Sequence, residues 1–370
     1  MRRCNSSDSA SSGSARSRAA LKRGATRVFL SIAAAACLPL SAATVAIPTP
    51  AGEPAYKQPQ LAVGGNTVAL AWGSGNRVLF ATSTDGGATF GAPVVVAESG
   101  VISLGMHRGP RVVIAKDSII VSAIYGEKGR GADGDLLAFR STDGGRTWSK
   151  AIRVNDRAAA AREGLHAMSA DGDFVYAVWL DDRDGGKALY GAASTDGGVT
   201  WSANQKLYVS PDGHICECCH PSVVVRNGGH EIYAMFRNWL AGSRDMYLAK
   251  STDGGRTFHA QKLGEGTWPL NACPMDGGGL VVDAKGPLTA WRRGGSLFVA
   301  RPGERETELG AGKNVALAGG RTTAWSTPEG LMLKHGTAAP KLVDPAGQFP
   351  AGSGNILAWE SNGTLKVARF

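Results

Sequence analysis

The chain has 370 residues, enough for one large domain or two small ones, and 51 of them are glycine, a composition that suits strands joined by many tight turns. Its net charge of +9 does not mark a nucleic-acid binder: seven basic residues (Arg2, Arg3, Arg16, Arg18, Lys22, Arg23, Arg27) and one acid (Asp8) lie within residues 1–46, which leaves 33 basic and 30 acidic residues in a nearly balanced body with no field for a polyanion. No stretch after residue 46 is long and apolar enough to span a bilayer as a helix.

Residues 1–46 read as an export signal. Residues 21–46 have a basic start, an apolar middle and small residues at Ala43 and Ala46 where cleavage can fall. Pro39 breaks the apolar run from Val28 before it reaches spanning length. The Ser-rich stretch before Leu21 is long for a leader, so a start near Leu21 is an alternative. The mature chain, residues 47–370, is expected in the periplasm or outside the cell. A lipid anchor on Cys37 is the lesser alternative, since AAAC lacks the usual leading Leu.

Beyond the leader an octamer recurs: STDGGATF (83–90), STDGGRTW (141–148), STDGGVTW (194–201) and STDGGRTF (251–258), at spacings of 58, 53 and 57 residues. Ser and Asp accept N–H bonds within a turn, the paired glycines permit positive φ, and the closing aromatic adds apolar cover. The octamer therefore predicts a rigid hairpin turn followed by a strand. About a dozen residues before each octamer lies a short apolar strand with an aromatic near its end: LAWG (Trp72), SAIYG (Tyr125), AVWLD (Trp179) and AMFRN (Phe236). The pattern continues without the octamer as TAWRR (Trp291), TAWST (Trp325) and LAWES (Trp359).

Each copy has β-patterned runs on both sides. Seven such units in one domain predict an all-β, seven-bladed β-propeller. Six blades are the alternative, because the last two copies are only 34 residues apart. The last copy has no room for its outer strand, and residues 51–60 are expected to supply it.

The octamers match the Asp-box, or BNR repeat, and over residues 58–370 the chain resembles the sialidase-like superfamily. That resemblance implies Asp-boxes on the outer rim, away from any active site. For a sialidase it also implies three arginines on a substrate carboxylate, an Asp acid/base and a Tyr nucleophile primed by a Glu. Arg108 in HRGP, Arg237 in FRN and Arg292 in WRR are the arginine candidates. The family's tyrosine comes late, whereas the last tyrosine here is Tyr247. A glycoside hydrolase would need displaced groups, with Glu163 or Asp276 as acid/base.

The segment ICECCHP (215–221) leads into the innermost strand of the fourth unit. The equivalent entries read MHRGPRVVI (106–114), EGLHAMSA (163–170) and NACPMDGGGL (271–280). Inner strands line a propeller's channel, so His107, Arg108, His166, Cys219, His220, Cys273, Met275 and Asp276 are expected around one mouth.

Four cysteines follow the leader, an even number that suits a disulfide from Cys218 or Cys219 to Cys273 after export. Alternatively Cys216, Cys218, Cys219, His220, Cys273 and Met275 supply thiolate, imidazole and thioether donors for copper or zinc. A thiol-exchange site is the third reading, and it needs one thiol of depressed pKa. A glycan or small anion would meet His107, Arg108, His166, Arg237 and Arg292, and the faces of the ring would also suit a protein partner.

Overall fold

In the structure, a computed structural model, residues 44–129, 131–319 and 321–370 are described. Cys37 and the rest of the expected leader up to Ala43 lie outside them. The described chain is almost entirely antiparallel sheet, in seven separate sheets that follow one another along the sequence. The first six blades span 57–97, 101–153, 166–208, 222–262, 278–311 and 313–344. The seventh combines 347–369 with the strand Thr44–Ile47. Seven blades thus replace the six-blade alternative.

The aromatics Trp72, Tyr125, Trp179, Phe236, Trp291, Trp325 and Trp359 each lie in the second strand of one blade, and none is more than 3% exposed. They fill the cores between neighbouring sheets. The last copies lie close together because they lack the octamer between their third and fourth strands.

Ring closure differs from expectation. Residues 51–60 do not complete the last blade, for the innermost strand of blade 1 already begins at Lys57. Thr44–Ile47 does so, in register Thr44↔Ala368 to Ile47↔Leu365. Its Ile47 is buried with Leu365 and Val367. The propeller therefore begins at Thr44, three residues inside the expected leader.

Each octamer turns between the third and fourth strands of blades 1 to 4. In the second, Ser141 Oγ donates to Asp143 Oδ1 at 2.8 Å and accepts the Gly145 N–H at 2.8 Å. The Thr147 N–H donates to Asp143 Oδ1 at 3.0 Å, and its hydroxyl to Oδ2 at 2.6 Å. The closing aromatic reaches back to the preceding blade: Trp148 meets Phe80 edge-on at 5.1 Å, and Phe258 meets Tyr176 at 6.2 Å. The octamer is thus a clamp between blades as well as a turn.

The inner strands (Lys57–Gly64, Arg111–Ala115, His166–Asp171, Ser222–Arg226, Gly278–Asp283, Lys313–Ala318 and Gly347–Ser353) line a central channel of about 560 Å³. Their entries share one irregularity. Gln58, His107, Glu163, Met275, Asn314 and Phe349, at the entries of every blade but the fourth, are non-glycine residues with φ between 49° and 67°. The inner-strand registers shift at Lys57/Gln60, Lys313/Ala316 and Gln348/Ala351. Such bulges re-aim a side chain out of the pleat, and here they gather side chains at the channel mouth.

Candidate metal and ligand site at the channel mouth

The fourth entry is the cysteine segment. The Ile215 N–H donates to the Lys187 carbonyl at 2.8 Å, and the Cys216 N–H to the Arg237 carbonyl at 3.1 Å. With the Ile215 side chain fully buried between blades 3 and 4, these bonds press the loop onto the ends of two sheets. Cys216, Cys218 and Cys219 are consequently 1%, 4% and 1% exposed.

Their sulfurs converge. Cys216 Sγ lies 3.6 Å from Cys218 Sγ and 3.5 Å from Cys219 Sγ, and the third side of the triangle is 3.9 Å. A metal with bonds of about 2.3 Å at tetrahedral angles holds its sulfurs about 3.8 Å apart, so the triangle already has the size of a coordination face. Among the described residues, these three are the His, Cys, Asp or Glu side chains close enough together to share one ion.

Arg244 Nη1 donates to Cys216 Sγ at 3.0 Å, while its Nε donates to the Leu270 carbonyl at 3.1 Å and its plane covers Trp239 at 4.5 Å. Met275 packs against the thiols. Contacts with the Cys218 and Cys219 sulfurs, helped by the charge of Arg244, pull the Cys216 thiol far below its ordinary pKa. Cys218 is pushed up chiefly by its bonds to the other two sulfurs, and Cys219 chiefly by burial.

The residues next in sequence face the channel. The His220 ring stacks on His107, with centroids 4.1 Å apart and planes 24° apart. His107 Nε2 lies 2.9 Å from Asn314 Oδ1 and 4.0 Å from Asp276 Oδ1, and Phe349 packs edge-on against its ring. Asp276 is 2% exposed; its Oδ2 accepts the Asn314 N–H, and its Oδ1 has no partner among the described residues. Burial lowers the pKa of both histidines, so the pair is neutral at neutral pH. Arg111 completes this wall. It is buried and donates to the carbonyls of His107 (2.8 Å), Pro110 (2.9 Å) and Gly109 (3.3 Å). Burial brings its pKa down to about 10, which leaves it charged.

Other expected residues are placed elsewhere. Arg108 is occupied by Glu163, through the latter's carboxylate at 3.2 Å and its carbonyl, and neither lines the channel. Arg237 is 1% exposed and binds the carbonyls of Asp276, Arg244 and Arg292, stitching blade 4 to blade 5. Arg292 lies over Trp268. These three arginines do not form one carboxylate clamp. His166 is fully buried, with Nε2 2.9 Å from Ser122 Oγ, and is not part of the channel wall.

The bridge from Cys218 or Cys219 to Cys273 is not formed: all four thiols are free, and Cys273 is exposed while the other three are buried. No tyrosine is among the described residues lining the channel. The contributors that sequence reasoning missed are Arg111, Arg244, Asn314 and Phe349. Arg111 had a local signal, three residues past Arg108 in the same entry; Arg244 comes from a hairpin with no such signal.

Residues 123–276 match the family model described as a BNR repeat-like domain. With its seven sheets and four octamers, the chain is a seven-bladed β-propeller carrying BNR-type repeats, a fold it shares with solved glycoside hydrolases. It is similar to a Penicillium chrysogenum α-L-arabinanase complexed with arabinobiose (TM-score 0.55, 15% identity, covering 90% of this chain and 98% of that one). It is also similar to an ulvan lyase bound to a GlcA(1-4)Rha3S unit (TM-score 0.51, 10% identity, 85% and 93% covered). A Trypanosoma rangeli sialidase in complex with sialic acid aligns more loosely (TM-score 0.46, 13% identity), and 59% of its length is covered. No curated protein matches. Among the described residues no helix is long and apolar enough to cross a membrane.

Proposed function

We propose that this protein is an exported propeller that holds one soft or borderline metal ion, copper or zinc, on Cys216, Cys218 and Cys219 beside its channel mouth. The observation that carries this reading is the triangle of three buried, unbridged sulfurs 3.5–3.9 Å apart, with a guanidinium on one of them. A structural disulfide would use two of these cysteines and leave the third without a purpose.

Metal analysis of exported protein purified without chelator, followed by thiol titration of the denatured chain, tests it. About one copper or zinc per chain is expected, with all four thiols reduced. Cys219→Ser should lose the metal and Cys273→Ser should keep it. Absence of metal together with two oxidised thiols would overturn the reading in favour of a disulfide or thiol-exchange site.

A second reading gives the channel mouth an anionic glycan. It is favoured by Arg111, a buried cation on the channel wall whose partners are all carbonyls, and by the carbohydrates bound in the arabinanase and the ulvan lyase. Salt-sensitive binding of a uronate-containing oligosaccharide would support it. Turnover of a fluorogenic sialoside is not expected, because no tyrosine lines the channel among the described residues.

A further inference from the structure

The donor set specifies the ion more narrowly than copper or zinc. We infer that the cluster is a site for monovalent copper, with the Met275 thioether as the ligand that sets the selectivity; this rests on the reading of the thiol triangle as a metal site.

Three features argue for it. The first is the character of the donors. Zinc in a closed site takes four strong ligands, and among the described residues no His, Asp or Glu places a ligand atom within 4.8 Å of all three sulfurs. The His220 ring stacks on His107, Asp276 binds the Asn314 N–H, and Glu217 is exposed. Packed against the three thiols is the Met275 side chain. Three thiolates with a weak thioether suit a soft monovalent ion and leave zinc one strong ligand short.

The second is charge. Three thiolates around a monovalent ion leave two excess negative charges, and two guanidiniums without carboxylate partners stand beside them. Arg244 Nη1 is 3.0 Å from Cys216 Sγ. Arg237, 1% exposed and bonded through its guanidinium only to carbonyls, accepts the Cys216 N–H on its own carbonyl at 3.1 Å. A divalent ion in the same shell would leave a buried net positive charge, which is costly.

The third is the placement of Met275. Its backbone is held at φ 55°, a region unusual for a non-glycine residue. That conformation turns Met275 onto the thiols while Asp276, its neighbour, joins the His107 side of the mouth. Cys219 and His220 divide in the same way on the facing loop. Strained backbone of this kind persists where the surroundings over-determine it and is concentrated at functional sites.

The test is anaerobic titration of the full exported chain with cuprous ion against the chromophoric chelator bathocuproine disulfonate, with zinc titrated in parallel, and X-ray absorption of the loaded protein. One cuprous ion per chain in a sulfur-only shell is expected, displacing zinc. Met275→Leu keeps the side-chain volume but removes the donor; it should lower cuprous affinity roughly ten- to hundredfold and leave zinc binding unchanged. Preference for zinc, or a nitrogen or oxygen ligand in the absorption spectrum, would overturn the copper assignment and leave the metal-site reading intact. Unchanged cuprous affinity in Met275→Leu would overturn the role of that thioether. Failure of the wild-type chain to take up either ion would sink the metal-site reading itself.

Discussion

Cys216, Cys218 and Cys219 fall within four consecutive positions, so their closeness is a local property and was legible in the sequence. Their partners were not. Arg244 is 28 residues from Cys216, and His107 is 113 residues from the His220 ring on which it stacks. The buried histidines carry a prediction at this scale. Burial lowers the folded-state pKa of His107, His166 and His220, the last two well below 6.5. Above about pH 6.5 both folded and unfolded chains hold them neutral, and stability is independent of their titration. Below it the unfolded chain binds protons that the folded chain refuses, so stability falls, by up to about 1.4 kcal/mol per group per pH unit. The depressed Cys216 thiol makes stability of the metal-free protein rise with pH throughout this range. The histidines should therefore show as a steeper fall of the urea midpoint below about pH 6.5 than above it; an unchanged slope through that pH would show that these rings are solvated.

At the scale of the element, the octamer's turn chemistry was legible because all of its bonds are made within eight residues. Its clamping role was not, because the surface it presses belongs to another blade. Gly145 shows the distinction. Its φ of 89° requires glycine for local reasons. A Cβ there would also overlap the Phe80 ring of the preceding blade. Gly145→Ala should therefore cost roughly 1–3 kcal/mol through strained backbone and overpacking together. Gly144, also at positive φ, has nothing near its Cβ position, so Gly144→Ala should cost less. Thermal unfolding of the two variants separates these terms, and equal losses would show that the contact with Phe80 carries no weight.

For the whole molecule the decisive element is the strand Thr44–Ile47, whose four residues pair with the last strand and close the ring. Of the two cleavage points in the proposed export signal, only the one after Ala43 leaves this strand intact; cleavage after Ala46 removes three of its residues. Mass analysis of the exported protein should give Thr44 as the first residue. A chain begun at Pro48 should unfold at a clearly lower temperature than one begun at Thr44. Equal stability would mean that the seventh blade holds without its fourth strand.

The sequence by itself determined the architecture: seven copies of one aromatic strand specified seven blades, because each copy needs only its neighbours to bury its apolar face. It also marked the cysteine loop. Which residues complete the site was decided by tertiary structure alone. The circular closure brings entries from blades 2, 4, 5, 6 and 7 to one mouth, where His107, Met275, Asn314 and Phe349 share a positive φ and Asn314 and Phe349 also sit in bulges, features that no residue pattern announces. The arginines show the same division. Arg108, Arg237 and Arg292 were visible as charges, yet Arg108 pairs with a carboxylate and Arg237 and Arg292 bind backbone carbonyls. Arg244 and Arg111 hold the thiol cluster and the channel wall, because only the packing of one blade on the next fixes which cation is left beside which anion.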